Sequence, residues 1–331
     1  MQDIFYNPHV VAEKIDRYSS KGIPFLFAMN YELDEALFIP YPAEQDRVLY
    51  HFPNGTNSAR DLITTIMEEH MKVLKVETEE EYARKFNIII KGLKRGDSYL
   101  ANLTCKSEVS TDLDASTLYR STHSPFGLYV PEKFLSFSPE RFVRIENGII
   151  SSLPMKGTID ASLQDAEKRI LNDYKESCEH ATITDLIRND LGIVSEDVWV
   201  ERYRFIDRIC TDRGEILQVS SDIRGRLKSE YANSPGRLIL SLLPAGSISG
   251  APKGSTVSLI SEAEGQPRGF YTGVAGLFDG KILDSAVLIR YIGFCPSGIM
   301  YYRSGGGITI NSRVEEEYNE MVKKIYLPLN K

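Results

Sequence analysis

An α+β fold with mainly antiparallel sheet is predicted for this chain by three observations. Strand-like segments at 270–278, 282–292, 298–302 and 307–310 follow one another through turns such as Asp279-Gly280. Connections that short join antiparallel neighbours, whereas parallel strands need a long crossover. Helical segments alternate with groups of strands without an internal repeat. No Pro-, Ser- or Gly-rich linker divides the 331 residues, of which 42% are hydrophobic and 26% charged, the composition of a globular protein with a large core. One continuous domain, 1–331, is expected.

Each element has a local reason. Residues 22–28 and 35–40 are apolar, strand-like and separated by a turn. Thr78-Glu79-Glu80-Glu81 is a capping box, opening a helix whose apolar face is Tyr82, Phe86, Ile89 and Leu93. Arg95-Gly96-Asp97 ends that helix, and residues 99–103 resume as a strand. Glu146-Asn147-Gly148 between β-branched flanks reads as a hairpin turn. A long helix is expected over 165–189, stopping before Gly192. Another follows Pro252 through Val257, Leu259 and Ile260, and 313–325 form the last.

Several function classes are excluded by composition. No apolar run approaches the roughly 18 residues of a membrane span, and the start Met1-Gln2-Asp3-Ile4-Phe5 lacks a basic region and an apolar region, so a cytoplasmic location is expected. The four cysteines show no Cys-x-x-Cys pairing, which argues against a zinc site or a disulfide framework. Net charge is −7 without a dense basic stretch, and nucleic-acid binding is disfavoured.

The chemistry begins with an acid and an amine. Glu140, in Ser138-Pro139-Glu140-Arg141, and Lys156, in Pro154-Met155-Lys156-Gly157-Thr158, lie sixteen positions apart around an apolar strand, and neighbouring strands of one sheet are expected to carry them. The tight, partly apolar surroundings of Lys156 would hydrate an ammonium poorly and push its pKa toward neutrality, as a nitrogen nucleophile requires. A surface lysine and a turn glutamate are the plain alternative. Glu176 and Glu179, and again Glu317 and Glu320, are spaced i, i+3, so each pair shares a helix face. Facing pairs would suit Mg²⁺; solvated helix faces would show the same pattern. The segment Gly250-Ala251-Pro252-Lys253-Gly254-Ser255 lacks the spacing of a phosphate loop. Gly305-Gly306-Gly307 is either a β-bulge or a backbone open to a carboxylate. Arg290, interrupting an apolar strand, calls for an anion, either a structural Asp or Glu or a substrate carboxylate.

Taken in order, these residues resemble a known family. The motifs around Glu140 and Lys156 are joined by Asp185-Leu186-Ile187-Arg188-Asn189-Asp190, Gly246-Ser247-Ile248-Ser249-Gly250-Ala251-Pro252-Lys253, Arg268-Gly269-Phe270-Tyr271, Arg290, Gly305-Gly306-Gly307 and Glu317-Tyr318-Asn319-Glu320. The set is similar to the chorismate-utilising enzymes, which include anthranilate, aminodeoxychorismate, isochorismate and salicylate synthases, over about 78–325. The resemblance implies a four-layer α/β/β/α sandwich of two large, mainly antiparallel sheets, with 1–77 a shortened N-terminal part of the same domain.

Within the family, lysine before Gly157-Thr158 marks aminodeoxychorismate synthase component I, and Leu100 stands where water-activating relatives carry a lysine base. The resemblance then implies a reaction. Lys156 adds to ring C2 of chorismate while Glu140 protonates the departing C4 hydroxyl, and ammonia displaces the lysine to give 4-amino-4-deoxychorismate. Mg²⁺ on Glu179 and Glu320, with Glu176 and Glu317 nearby, would hold the ring carboxylate. Arg290, Tyr271 and the Gly307 amide would hold the side-chain carboxylate. Gly157, Thr158, Ser249, Gly305 and Lys324 would complete the substrate site.

Gln218 replaces the family's usual histidine. No cysteine nucleophile with a downstream histidine is evident among the five scattered histidines, so ammonia is expected from a separate glutamine amidotransferase subunit. The alternatives are anthranilate synthase component I and a non-catalytic chorismate-binding subunit.

Overall fold

The computed structural model describes residues 4–59, 71–122, 124–211 and 214–326. β1 (Phe5–Tyr6) precedes α1 (Pro8–Ser19), then β2 (Phe25–Met29) and β3 (Ala36–Pro40). β4 (Leu49–Phe52), β5 (Gly55–Thr56) and β6 (Met71–Lys75) lead to α2 (Glu79–Arg95), β7 (Leu100–Thr111) and α3 (Ala115–Arg120). β8 (Phe126–Val130), β9 (Phe134–Ser138), β10 (Arg141–Glu146), β11 (Ile149–Ser152) and β12 (Met155–Asp160) follow closely. α4 (Ala166–Asn172) and α5 (Tyr174–Val194) precede the paired strands β13 (Ser195–Thr211) and β14 (Gly214–Leu227). α6 (Pro235–Leu242), α7 (Gly246–Ser249), β15 (Gly250–Ala251) and α8 (Lys253–Glu264) come next. The chain then forms β16 (Val274–Phe278), β17 (Leu283–Val287), β18 (Tyr291–Phe294), β19 (Met300–Ile308) and α9 (Val314–Lys323).

Two sheets result, of ten and nine strands among the described residues, ordered β1-β3-β2-β16-β17-β10-β11-β14-β12 with β13 beside β14, and β15-β7-β19-β18-β9-β8-β4-β5 with β6 beside β7. Every pairing among the described residues is antiparallel. β2 shows how the layers arise. Phe25, Phe27 and Met29 pack with Val11 and Ile15 of α1, while Leu26 and Ala28, on the opposite face, meet Phe126, Leu128 and Phe134 of the second sheet. Alternate residues of a strand point to opposite faces, so a strand covered on both sides is apolar throughout. Each fully buried side chain of this size contributes roughly 1.5–3 kcal/mol by leaving water. On the far side, Tyr82, Phe86, Ile89 and Leu93 of α2 join Leu259 and Met321 against Ala101, Leu103 and Ile308. The order is helices, sheet, sheet, helices. No helix of the described residues is long and apolar enough to cross a membrane.

Local signals explain the boundaries. Thr78 and Glu81 form the reciprocal capping box of α2, and Gly96 ends it at φ 86°. Asn147 and Gly148 both have positive φ, 51° and 74°, the condition for a tight hairpin turn between β10 and β11.

Four expectations need correction. The helix expected over 165–189 is two helices: Asp173 ends α4 and caps α5, its side chain accepting from the Glu176 amide. α5 also runs through Gly192 to Val194, where β13 takes over. Segment 282–292 is two strands in different sheets, because the backbone turns at Arg290, φ 52°. The glycine run is no bulge. It stays in continuous register with β7, Gly305 opposite Thr104 and Gly307 opposite Asn102. Glu140 and Lys156 are not on neighbouring strands either: β11 and β14 lie between β10 and β12.

Candidate active site

Lys156 owes its position to an irregularity. Met155 pairs with Ser220 and Thr158 with Gln218, so Lys156 and Gly157 together face the single residue Val219. This is a β-bulge, a device that re-aims a side chain and increases local twist. Gly157 carries φ 81°, and a Cβ there would sit 3.0 Å from Glu176 Oε2. The glycine therefore permits both the bend and the close approach of α5.

Glu140 precedes β10. Its amide donates to Ser138 Oγ at 3.1 Å, and its carbonyl accepts from the Val287 amide at 3.2 Å. Burial raises its carboxyl above the ordinary range, against a hydrogen bond from Ser247 and the charges of Lys156, Arg290 and Lys324. Those opposing cations show that acid, amine and both expected anion-binding side chains share one electrostatic neighbourhood.

The two glutamate pairs, on α5 and α9, feel the same neighbouring lysines. Burial raises Glu176, helped by Glu179 and Asp173 and opposed by Lys156 and Lys175. Burial also raises Glu317, against a hydrogen bond from Ser312, with Glu320 adding to the rise. Burial pushes Glu320 up too, but Lys324 at 2.7 Å, with Lys156 and Lys175, outweighs it and the group lies below its usual range. Lys175 ion-pairs with Glu179 at 4.0 Å and its charge reaches across to Glu317 and Glu320. In kind, the oxygen donors fit a hard divalent cation. Among the described residues no three acidic, histidine or cysteine groups are gathered closely enough to hold one; Lys175 and Lys324 provide the compensating charge in this arrangement.

Beyond Arg303, β19 keeps β7 on one edge and has no β18 partner on the other. The Gly305 carbonyl accepts from Lys324 Nζ at 3.0 Å. A Cβ at Gly306 would stand 3.3 Å from Glu317 Oε2 and 3.8 Å from Glu320 Oε1, so the glycines let α9 press its carboxylates against the strand. Leu100 lies beside Gly307, its Cδ1 3.1 Å from where a Cβ would be. No carboxylate ion-pairs with Arg290 among the described residues; its Nη2 donates to the Tyr326 hydroxyl at 2.7 Å. Tyr271 is 4% exposed, and burial, against Arg268 and Arg303, pushes its hydroxyl up to about 12, so it is neutral at pH 7.

Two expected residues sit differently. Ser249 is fully buried and its hydroxyl donates to the Ala245 carbonyl at 2.8 Å. That bond, back along α7, commits its proton to the backbone. Thr158 lies past the bulge and is exposed, opposite Gln218.

Two others escaped the sequence reading. Ser247 bonds the Glu140 carboxyl, and His180 is 1% exposed with its Nε2 2.7 Å from Ser221 Oγ. Burial first, then Arg204 and Lys156, lower His180 to about 4, so it is neutral at pH 7, and its Nδ1 has no partner among the described residues. Its signal was available: His180 is i+4 from Glu176 and shares that helix face.

Other motif residues build the frame. Lys253 pairs with Asp190 at 3.0 Å and donates to the Leu242 carbonyl at 2.7 Å, while the Gly246 amide donates to Asp190 at 3.2 Å. This fastens the segment carrying Ser247 to α5. Arg268, buried against Glu264 at 2.6 Å, also donates to the Ile248 and Asn102 carbonyls.

An antiparallel four-layer sandwich in which acid, amine and glutamate-bearing helices share one electrostatic neighbourhood defines the class, and the family model for chorismate binding enzymes matches residues 65–330. The chain belongs to that family. It is 42% identical over 321 residues to an uncharacterised PabA-like protein of Haemophilus influenzae, covering 96% of each chain. It is 33% identical over 263 residues to aminodeoxychorismate synthase component 1 of Salmonella typhimurium, covering 75% of this chain and 56% of that one. The fold matches MenF, the menaquinone-specific isochorismate synthase of Escherichia coli, with a TM-score of 0.73 over 97% of this chain and 82% of that one at 14% identity.

Proposed function

We propose that the protein is an aminodeoxychorismate synthase component I, aminating chorismate at C4 toward 4-aminobenzoate and folate. The observation that carries this reading is Lys156 on its bulge, within the electrostatic reach of Glu140. Lys156, as the free amine, forms a bond to ring C2 as the C4–O bond breaks, and Glu140 gives its proton to the oxygen leaving as water. Burial keeps that proton on Glu140 to higher pH than an exposed glutamate would. Ammonia then bonds C4, the C2–N bond to Lys156 breaks, and the proton shed by the entering nitrogen restores Glu140. Arg290 and the neutral Tyr271 hydroxyl hold the side-chain carboxylate, with the Gly307 amide at the open edge of β19. Leu100 offers no base for water, which favours nitrogen over hydroxyl transfer.

Glu179 and Glu320, with Glu176 and Glu317, would hold Mg²⁺, which when bound anchors the ring carboxylate and polarises the conjugated ring. Lys175 and Lys324 would give up their glutamate contacts to it. Ammonia is supplied by a separate glutamine amidotransferase subunit: Cys105 is buried and burial pushes its thiol up, the opposite of an activated nucleophile.

The test is product analysis with chorismate, Mg²⁺ and ammonium. 4-Aminobenzoate appearing only after a lyase is added supports the reading. Fluorescent anthranilate appearing directly would make the protein an anthranilate synthase component I, and chorismate binding without turnover at any ammonium concentration would make it a non-catalytic subunit.

A further inference from the structure

Arg290 is held by the end of the described chain rather than by an acid. It lies where the backbone passes from β17 in one sheet to β18 in the other, at φ 52°, a region that bulky residues rarely occupy outside functional sites. Ser136 Oγ donates to the Ile289 carbonyl at 2.9 Å and the Phe137 amide to the Arg290 carbonyl at 3.1 Å, fixing the turn. The guanidinium lies over the Tyr326 ring, 4.5 Å from its centre, and Nη2 donates to the Tyr326 hydroxyl oxygen at 2.7 Å. Tyr302 donates to the Tyr326 carbonyl at 2.9 Å, so the backbone of Tyr326 is anchored as well as its ring. Yet the residue is 43% exposed; core packing does not explain its placement.

The hydrogen-bond balance points outward. The Tyr326 oxygen accepts from Arg290, and its own proton has no acceptor among the described residues. An arginine without a carboxylate and a phenol with an unused proton, stacked and hydrogen-bonded to each other, present donors to one anion. We propose that Tyr326 completes the carboxylate subsite, its hydroxyl donating to the substrate side-chain carboxylate that Arg290 binds. This rests on the functional reading above. It assigns a substrate-binding role to a residue outside the motifs that carry the family resemblance.

The test compares wild-type Tyr326 with Tyr326→Phe and Tyr326→Ala, each in the Lys156→Ala background so that no adduct forms, by calorimetric binding of chorismate and of benzoate, a ring monocarboxylate lacking the side-chain acid. Phe keeps the stacking on Arg290 and loses only the hydroxyl. Chorismate should bind about tenfold more weakly to the Phe variant, the loss of one charge-assisted hydrogen bond, and more weakly still to the Ala variant. Benzoate affinity should stay within about twofold. Chorismate binding equally or more tightly to the Phe variant overturns the proposal, as does an equal loss for both ligands, which would mark a structural role. If the protein with Tyr326 intact binds benzoate but not chorismate, the functional reading itself falls, and the subsite with it.

Discussion

Replacing Glu140 by Gln tests the general acid and its environment together. The substitution keeps the shape, so the Ser247 contact and the Val287 amide bond to the Glu140 carbonyl survive. What disappears is a proton donated at the leaving oxygen. Positioned general acids contribute about 10²–10⁴-fold; with a hydroxyl as leaving group, a loss of about 10²–10³-fold in kcat is expected, roughly 3–4 kcal/mol of barrier. KM for chorismate should change little.

Stability should move the other way. Burial raises Glu140 in the folded chain above its ordinary value of 4.5, so the folded state holds the proton more tightly than the unfolded state. The stabilisation linked to that proton is complete below pH 4.5 and is lost as pH rises through the folded-state pKa. Gln carries no charge at any pH. The variant should therefore gain stability relative to wild type as pH rises from 4 to 8, followed by urea denaturation at each pH. A Glu140→Gln enzyme within threefold of wild-type kcat, or a wild-type/variant stability difference independent of pH, would refute the assignment.

Other perturbations follow from the same geometry. Gly157→Ala forces a Cβ to 3.0 Å from Glu176 Oε2 at φ 81°; a stability loss of about 1–2 kcal/mol from the backbone alone and at least a tenfold fall in kcat are expected, measured by denaturant midpoint and product assay. Lys253→Met strands Asp190, whose side chain is 16% exposed; the cost should approach the ~3–5 kcal/mol of a broken buried pair, and adding Asp190→Leu should recover part of it in thermal unfolding. Dialysis against a chelator should abolish turnover and Mg²⁺ restore it, with Glu320→Gln requiring more Mg²⁺ for half-maximal rate than wild type.

Where a local signal sufficed, the sequence was readable. The Thr78 capping box and Gly96 stop bounded α2, and Asn147-Gly148 marked a hairpin, because those effects act within one turn. Competition between signals produced the errors. Gly192 looked like a helix end, but a Cβ there meets nothing and α5 packs onward through Val194. The apolar stretch around Leu288 looked like one strand, since both sheets bury their strands and hydropathy does not change as the chain crosses between them. Glu140 and Lys156 were legible through their neighbours in sequence, Pro139 and Gly157. Ser247 was not, because its partner lies more than a hundred residues away. Nor was Tyr326, whose proposed role depends on the chain folding back over a turn.

The proposed reaction turns on a carbon–nitrogen bond to one side chain. Intact-protein and peptide mass spectrometry after incubation with chorismate and Mg²⁺, without ammonia, reads it directly. An added mass of chorismate minus water is expected, located on Lys156, absent in Lys156→Ala and discharged when ammonium is added. A wild-type enzyme that turns over with ammonium yet never carries that mass, or an adduct that persists in Lys156→Ala, would contradict it.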